Sequence, residues 1–215
     1  MSLVTNSIRS TLRGLPSLAA PLPAFDTSQA PANPAALFQS WLENAIDAGL
    51  REPHAMTLST VDAHGRPDAR TLILKDLTGA VWWFATHSLS PKGTQLTATP
   101  YAALTFYWPT LGRQIRVRGA VITASSADSA RDFLERSESA RTVAALGNQS
   151  KPLANAEERR TVLSRTEPPP ECPEWTLYGV VGQEVEFWQG DPGRDHTRLR
   201  YTSTDDEWER TLLWP

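Results

Sequence analysis

The chain has 215 residues, 40% of them hydrophobic and 21% charged, an ordinary globular composition with enough length to bury a core in one domain. Its formal net charge of -3 argues against a general nucleic-acid binder, and the one cysteine, Cys172, rules out an internal disulfide framework and suits a reducing compartment. With no apolar run long enough to span a bilayer and no basic-then-apolar leader pattern, the chain reads as cytoplasmic, with neither membrane nor nucleic acid as a partner.

Residues 1–33 carry Pro16, Pro21, Pro23 and Pro31 among few periodic apolar positions and read as an extended arm. Asn33 then offers a helix cap and Pro34 a first-turn proline, and Leu37, Trp41, Leu42, Ala45 and Ile46 share one helical face up to a stop at Gly49. From Ala55 the period changes to two. Strands are expected at 55–61 and 69–74 around the turn Asp62-Ala63-His64-Gly65, at 81–86 after a turn at 76–79, at 101–108 after a short helix over 92–98, and at 113–122, where Gln114, Arg116 and Arg118 alternate with Ile115 and Val117. Antiparallel meanders of this length commonly close into barrels. The stretch 126–165 returns to helical composition, Pro168-Pro169-Pro170 and Pro173 form a stiff connector, and strands resume at 175–181, 184–189 and 208–214. Late strands after a helical insertion imply one α+β domain over 34–215 whose end returns to the first sheet.

The stretch Glu186 to Tyr201 concentrates the chemistry. It starts with Phe187 and Trp188, turns at Gly190-Asp191-Pro192-Gly193, and resumes with Arg194, His196, Arg198 and Arg200 at every second position. In an extended strand these four form one cationic row, which is either a solvated, charge-blunted edge or a site for an anion beside a flat aromatic ring. Arg70 and Lys75 end a strand on opposite sides. Thr86, Ser90 and Lys92 surround a loop that runs into a helix N-terminus, the usual materials of a phosphate cradle or, equally, of ordinary capping. Gln114, Gln149 and Ser150 could meet the edge of a heteroaromatic ring or simply be exposed. The four histidines and Cys172 stand at no metal-ligand spacing, so no metal is expected. No Gly-x-Gly-x-x-Gly, Walker loop or Gly-x-Ser-x-Gly elbow is present.

Taken together in chain order, Arg70-x-x-x-Leu74-Lys75, the Thr86-x-x-x-Ser90-x-Lys92 loop, Phe106-Tyr107-Trp108 running on to Arg113-Gln114, Gln149-Ser150, and Glu186-Phe187-Trp188-Gln189-Gly190 followed by Arg194-x-His196-x-x-Leu199 resemble the pyridoxamine 5'-phosphate oxidase family over residues 34–215. The resemblance implies an α+β fold built on an antiparallel split β-barrel of the FMN-binding type with flanking helices. It implies a homodimer with FMN between the subunits and a phosphorylated ring compound, pyridoxine or pyridoxamine 5'-phosphate, as substrate with dioxygen as acceptor. Arg70, Thr71, Leu72, Ile73, Leu74 and Lys75 would lie along the flavin, Ala85, Thr86, Ser90 and Lys92 at its phosphate end, and Gln114, Gln149, Ser150, Trp188 and Arg198 would complete the cofactor site. Arg194 and His196 would orient the reacting group, and Lys75 would reach the substrate phosphate. Two stretches depart from the family pattern. Pro91 replaces an arginine of the phosphate loop, and Phe133 stands where the family has a tyrosine of its substrate-phosphate cluster, leaving Arg136 or Arg141 to supply the charge. The altered cluster also admits a relative acting on another ring, as in phenazine biosynthesis, or a non-catalytic flavin or pyridoxal-phosphate carrier.

Overall fold

The computed structural model describes residues 7–19, 21–205 and 207–215. In chain order the regular elements are α1 (Ile8–Arg13), α2 (Pro34–Asp47), β1 (Ala55–Val61), β2 (Pro67–Ile73), β3 (Asp76–Thr78), β4 (Val81–His87), α3 (Pro91–Ala98), β5 (Tyr101–Trp108), β6 (Arg113–Thr123), α4 (Ser126–Leu134), α5 (Glu138–Ala145), α6 (Ala156–Arg165), β7 (Trp175–Gln189), β8 (Thr197–Ser203) and β9 (Trp208–Leu212). The strands form one nine-stranded sheet in the order β2-β1-β5-β6-β7-β4-β3, with β8 on β7 and β9 on β8. Every pairing is antiparallel.

Period-two sequence decides which face is buried. Along β6, Ile115 and Val117 are fully buried while Gln114 and Arg116 stay partly exposed, and β1 and β5 alternate the same way. The buried face packs on α2. Asn33 caps that helix by accepting the Ala35 N–H at 2.8 Å, which satisfies one of the orphan donors of the first turn. Leu37, Phe38, Trp41 and Ala45 are its buried stripe, with Phe38 edge-on to Phe106 at 4.9 Å. Ile46, read from the sequence as part of that stripe, is exposed: one residue beyond Ala45, it turns about 100° away from the buried stripe.

Three sequence expectations need correction. The segment read as an extended arm carries the helix α1, capped by Ser7, and its later part joins the core: Phe25 meets the Trp41 ring edge-on at 5.0 Å and the Tyr201 hydroxyl donates to the Pro31 carbonyl at 2.7 Å. Residues 1–6 lie outside the described residues. Asp76–Thr78, expected as part of a turn, is a short strand paired with β4.

The two late strands expected at 175–181 and 184–189 are one strand, β7, whose register against β6 shifts between Arg118 and Gly119. Gln183 is the extra residue of a bulge that bends the strand. Gly119 makes this possible, since a Cβ there would run into the Val181 carbonyl. From Tyr178 onward β7 keeps β6 on one side; on the other it pairs β4 before the bulge and β8 after it.

Candidate active site

A cavity of about 640 Å³ opens where β2, β4 and the start of β7 face the helical insertion, a volume typical of a small-molecule site. Thr71, Leu72, Ile73 and Lys75 line it from the end of β2, Ala85, Thr86 and His87 from β4, Arg136 from the loop after α4, and Val143, Leu146 and Gln149 from α5 and beyond; Trp175 closes one side. Thus the expected residues Thr71, Leu72, Ile73, Lys75, Ala85, Thr86, Arg136 and Gln149 are gathered by the fold. Leu74 is not among them: it lies just past the end of β2 and is buried in the core.

Behind this cavity lies a cationic seat. Ser90 caps α3 and accepts the Gly93 N–H at 3.3 Å, and a Cβ at Gly93 would strike the Ser88 backbone, so the helix starts tight against the preceding loop. Lys92, in the first turn, is 5% exposed; its ammonium donates to the Gln149 amide oxygen at 2.8 Å and weakly to Ser90 Oγ at 3.4 Å. Burial, and next to it the charge of Arg70, pushes its pKa down from 10.5 to about 8. Arg70 reaches across from β2 to Thr60 Oγ1 at 2.6 Å and to the Gln95 amide oxygen on α3 at 3.2 Å. Asp68 compensates Arg70 but only weakly supports Lys92. A buried ammonium without a carboxylate in hydrogen-bond reach, set at a helix N-terminus beside a guanidinium, is a site that an anion would stabilise. That arrangement fits the phosphate end of FMN without an arginine at position 91.

The remaining expected cofactor and catalytic residues lie elsewhere. Gln114 on β6 pairs with Trp188 on β7, and Trp188 with Arg198 on β8. Thr86 pairs with Thr176 near the opposite end of β7, so about 40 Å of strand path, at ~3.3 Å per residue, separates the two groups within one chain. Arg194 and His196 precede β8 rather than continuing it. Arg194 takes a left-handed backbone with φ 70°, its N–H bonded to the Asp191 carbonyl at 3.0 Å. His196 Nδ1 accepts the Asp191 N–H at 3.0 Å, which leaves the proton of the neutral ring on Nε2, and the ring lies 4.9 Å from that of Trp188.

The four-cation row therefore does not form. Within β8, only Arg198 and Arg200 continue it, and Arg198 is held by Glu186 at 2.8 Å and by the Trp214 carbonyl at 2.9 Å. Glu186, whose other oxygen meets Arg116 at 3.4 Å, is the anion that offsets this side of the row.

Phe133 is fully buried with Trp175 and Cys172 in a second small core and does not line the cavity; its side chain is packing, not a substrate contact. Ser150 is exposed with φ 65°, and Arg141 lies on α5 outside the lining, its Nε buried and unpartnered. The residue that meets Lys75 is Asp132, at 3.1 Å, which the sequence reading missed. Its signal was present: Ser129, Asp132 and Phe133 are the buried positions of α4, and a carboxylate at i+3 on a buried helical face needs a partner. The fold also brings His87, Cys172 and Glu174 together, their ligand atoms within 4.8 Å of one another, which sequence spacing could not show. His87 Nδ1 already accepts the Leu89 N–H at 3.3 Å, the Cys172 thiol donates weakly to the Glu174 carboxylate at 4.0 Å, and burial pushes the thiol pKa up.

Comparison with known proteins places this geometry. Residues 42–166 match the family model described as pyridoxamine 5'-phosphate oxidase, and residues 175–215 match the pyridoxine 5'-phosphate oxidase C-terminal dimerisation region. A pyridoxine/pyridoxamine 5'-phosphate oxidase of Paraburkholderia phytofirmans is 39% identical over 201 residues, covering 90% of this chain and 94% of its own. One of Pseudomonas fluorescens is 41% identical over 196 residues, covering 87% and 91%. Among solved structures, PhzG of Burkholderia lata, in complex with tetrahydrophenazine-1-carboxylic acid, superposes with a TM-score of 0.83 at 29% identity over 90% of this chain and 99% of that one. A pyridoxamine 5'-phosphate oxidase-related, FMN-binding protein of Nostoc punctiforme gives 0.71 at 21% identity, over 90% and 100%. The curled antiparallel sheet with flanking helices is thus the expected split-barrel fold.

Proposed function

Because the chain belongs to the pyridoxamine 5'-phosphate oxidase family of oxidoreductases, we propose that it is an FMN-dependent oxidase of pyridoxine or pyridoxamine 5'-phosphate, working as a homodimer with dioxygen as acceptor. The observation that carries this reading is the division of the site. A cationic seat beside one end of β7 and an aromatic, amide-bearing group at the other line no common cavity within one chain: Gln114, Trp188 and Arg198 are absent from the lining that holds Thr86 and Gln149. Two antiparallel copies of the chain bring the Lys92 end of one against the Trp188 end of its partner, as the C-terminal dimerisation region supports.

In that assembly Lys92, Ser90 and Arg70 would hold the phosphate of FMN, each charge-assisted hydrogen bond contributing about 1.5–3 kcal/mol. Gln114 and Trp188 would complete the cofactor site. Bound FMN supplies the two-electron acceptor that dioxygen regenerates. The apolar wall of Leu72, Ile73, Ala85 and Val143 would exclude water from the flavin and the substrate ring beside it. His196 Nε2–H donates to the substrate oxygen or nitrogen at the reacting carbon, held in orientation by the Asp191 N–H and the Trp188 ring. Arg194, fixed in the turn, adds a positive charge beside it.

Anaerobic addition of pyridoxine 5'-phosphate to the FMN-loaded protein tests the activity: the flavin absorption bleaches, and pyridoxal 5'-phosphate accumulates once air is readmitted. A bound flavin that stays oxidised refutes the substrate. Subunit mixing tests the shared site. An Arg70→Ala/Lys92→Met chain and a Trp188→Ala/Arg198→Ala chain are each inactive alone, and after dissociation and reassociation in equal amounts they regain about a quarter of the wild-type sites, because each mixed dimer has one intact site. No recovery would place the whole site in one chain.

A second reading, oxidation of a different ring compound, is favoured by the Lys75–Asp132 ion pair, which occupies the lysine assigned to the substrate phosphate. PhzG, with its bound ring carboxylic acid, is the precedent for such a ligand on this scaffold.

A further inference from the structure

Lys75 leaves the end of β2 with its backbone N–H bonded to the Trp83 carbonyl at 2.8 Å, so its side chain starts from a fixed point. Its ammonium meets Asp132 Oδ1 at 3.1 Å. The second oxygen of Asp132 accepts the Trp175 indole N–H at 2.8 Å. Both oxygens are engaged, and the Asp132 side chain is 11% exposed against 32% for Lys75, so the carboxylate is a fixed group held behind Lys75 and Trp175, which line the cavity, rather than a mobile surface group. Asp132 thus meets the edge of Trp175, and over the face of that ring the Arg136 guanidinium lies 4.2 Å from its centre. Its Nε is buried with no partner among the described residues; burial works against its charged form, and Asp132 is the charge that favours it.

Asp132 therefore stands among the two cations, Lys75 and Arg136, that line this end of the cavity. The trio carries a net charge of about +1, with each cation near the same carboxylate. A single negative charge balances it. A phosphate monoester, with about two charges at neutral pH, overshoots, and brings its second charge against a carboxylate held in place by Trp175.

We propose that Asp132 is a specificity-determining residue, the resident counter-anion of Lys75 and Arg136, and that it makes a phosphate on the ring substrate dispensable: rings bearing one carboxylate, or no anion, compete with the phosphate monoester at this end of the cavity. The proposal rests on the reading of the cavity as a ring-substrate site, and deepens it by naming the substrate's charge class.

The test compares FMN-loaded wild type with Asp132→Asn, which keeps the shape and the acceptor for Trp175 but removes the charge. In wild type, kcat/KM for pyridoxine 5'-phosphate exceeds that for pyridoxine by less than about tenfold; in Asp132→Asn the ratio rises about tenfold or more, through KM for the phosphate ester. Adding Lys75→Met to Asp132→Asn abolishes the gain. Trp175→Phe, which frees one carboxylate oxygen while keeping a ring beneath Arg136, moves the ratio the same way by about two- to threefold, and serves if Asp132→Asn does not fold. A wild-type preference for the phosphate of about a thousandfold, or a ratio that is unchanged or falls in Asp132→Asn, overturns the proposal. Calorimetric titration with inorganic phosphate separates it from the B6 reading. If no variant turns over either compound, the B6 substrate is wrong, yet about tenfold tighter phosphate binding by FMN-loaded Asp132→Asn still supports the role of Asp132, and equal binding refutes it.

Discussion

Replacing Lys92 with methionine should make the protein more stable and a poorer flavin binder. Lys92 is buried, and its pKa falls from 10.5 to about 8, first by desolvation and then by Arg70. At about 1.36 kcal/mol per tenfold change in proton affinity, this corresponds to roughly 3 kcal/mol against the charged form at neutral pH. Methionine retains the buried stem and removes that cost, but leaves the Gln149 amide oxygen without its donor at 2.8 Å, which returns about 1–2 kcal/mol. The net expectation for the flavin-free protein is a gain of about 1–2 kcal/mol, raising Tm by roughly 2–8 °C for a chain of this size. FMN affinity, followed by quenching of flavin fluorescence, should fall about 10- to 100-fold as one charge-assisted contact to its phosphate is lost. A flavin-free variant that melts below wild type, or one that binds FMN equally well, would show that Lys92 is a structural cation and not an anion seat.

The same residue sets a pH dependence. Between pH about 8 and 10.5 the unfolded chain holds a proton that the folded, flavin-free chain has released, so flavin-free stability rises with pH across that window in urea titrations. Flavin binding runs the other way: the complex favours protonated Lys92, and affinity should decline as pH rises above about 8. Glu186→Gln removes the charge between Arg116 and Arg198 and should cost about 1–3 kcal/mol in a denaturant melt. Tyr201→Phe, which deletes the hydrogen bond to the Pro31 carbonyl, should cost about 1 kcal/mol and lower Tm by about 2–4 °C. Gly119→Ala forces the bulge open against the Val181 carbonyl and should cost about 3 kcal/mol or more, read as loss of soluble, folded protein.

Local chemistry was legible wherever one residue's neighbours in sequence are also its neighbours in space. The Asn33 cap with Pro34, the Ser90 cap of α3 and the alternation of β6 all appear as the sequence pattern requires. The single strand β7 was hidden because Gly182-Gln183 looks like a turn, and only the facing Gly119 shows that it is a bulge. Arg194 and His196 fell on the strand period by coincidence, while the turn bonds of Asp191 set their positions. Cavity residues were legible where a family motif covers them, as at Thr71 to Ile73, Lys75 and Thr86. Asp132, just behind the cavity, was legible only as a buried helical carboxylate in want of a partner; which partners it takes was not, because Lys75 and Trp175 are 57 and 43 residues away in the chain and no local pattern records such a pairing.

The position of β7 also governs the order in which the chain can fold. It is laid down after α4, α5 and α6, yet it sits between β6 and β4. During synthesis, the β3–β4 hairpin has no sheet to join until residues 175–181 emerge, and β6 presents an unpaired edge for just as long. Closure by such long-range pairing is slow, and open edges recruit other strands. Chains truncated before Trp175 should therefore aggregate rather than yield a smaller domain, and nascent chains depend on whatever shields those edges while the helical insertion is still being made.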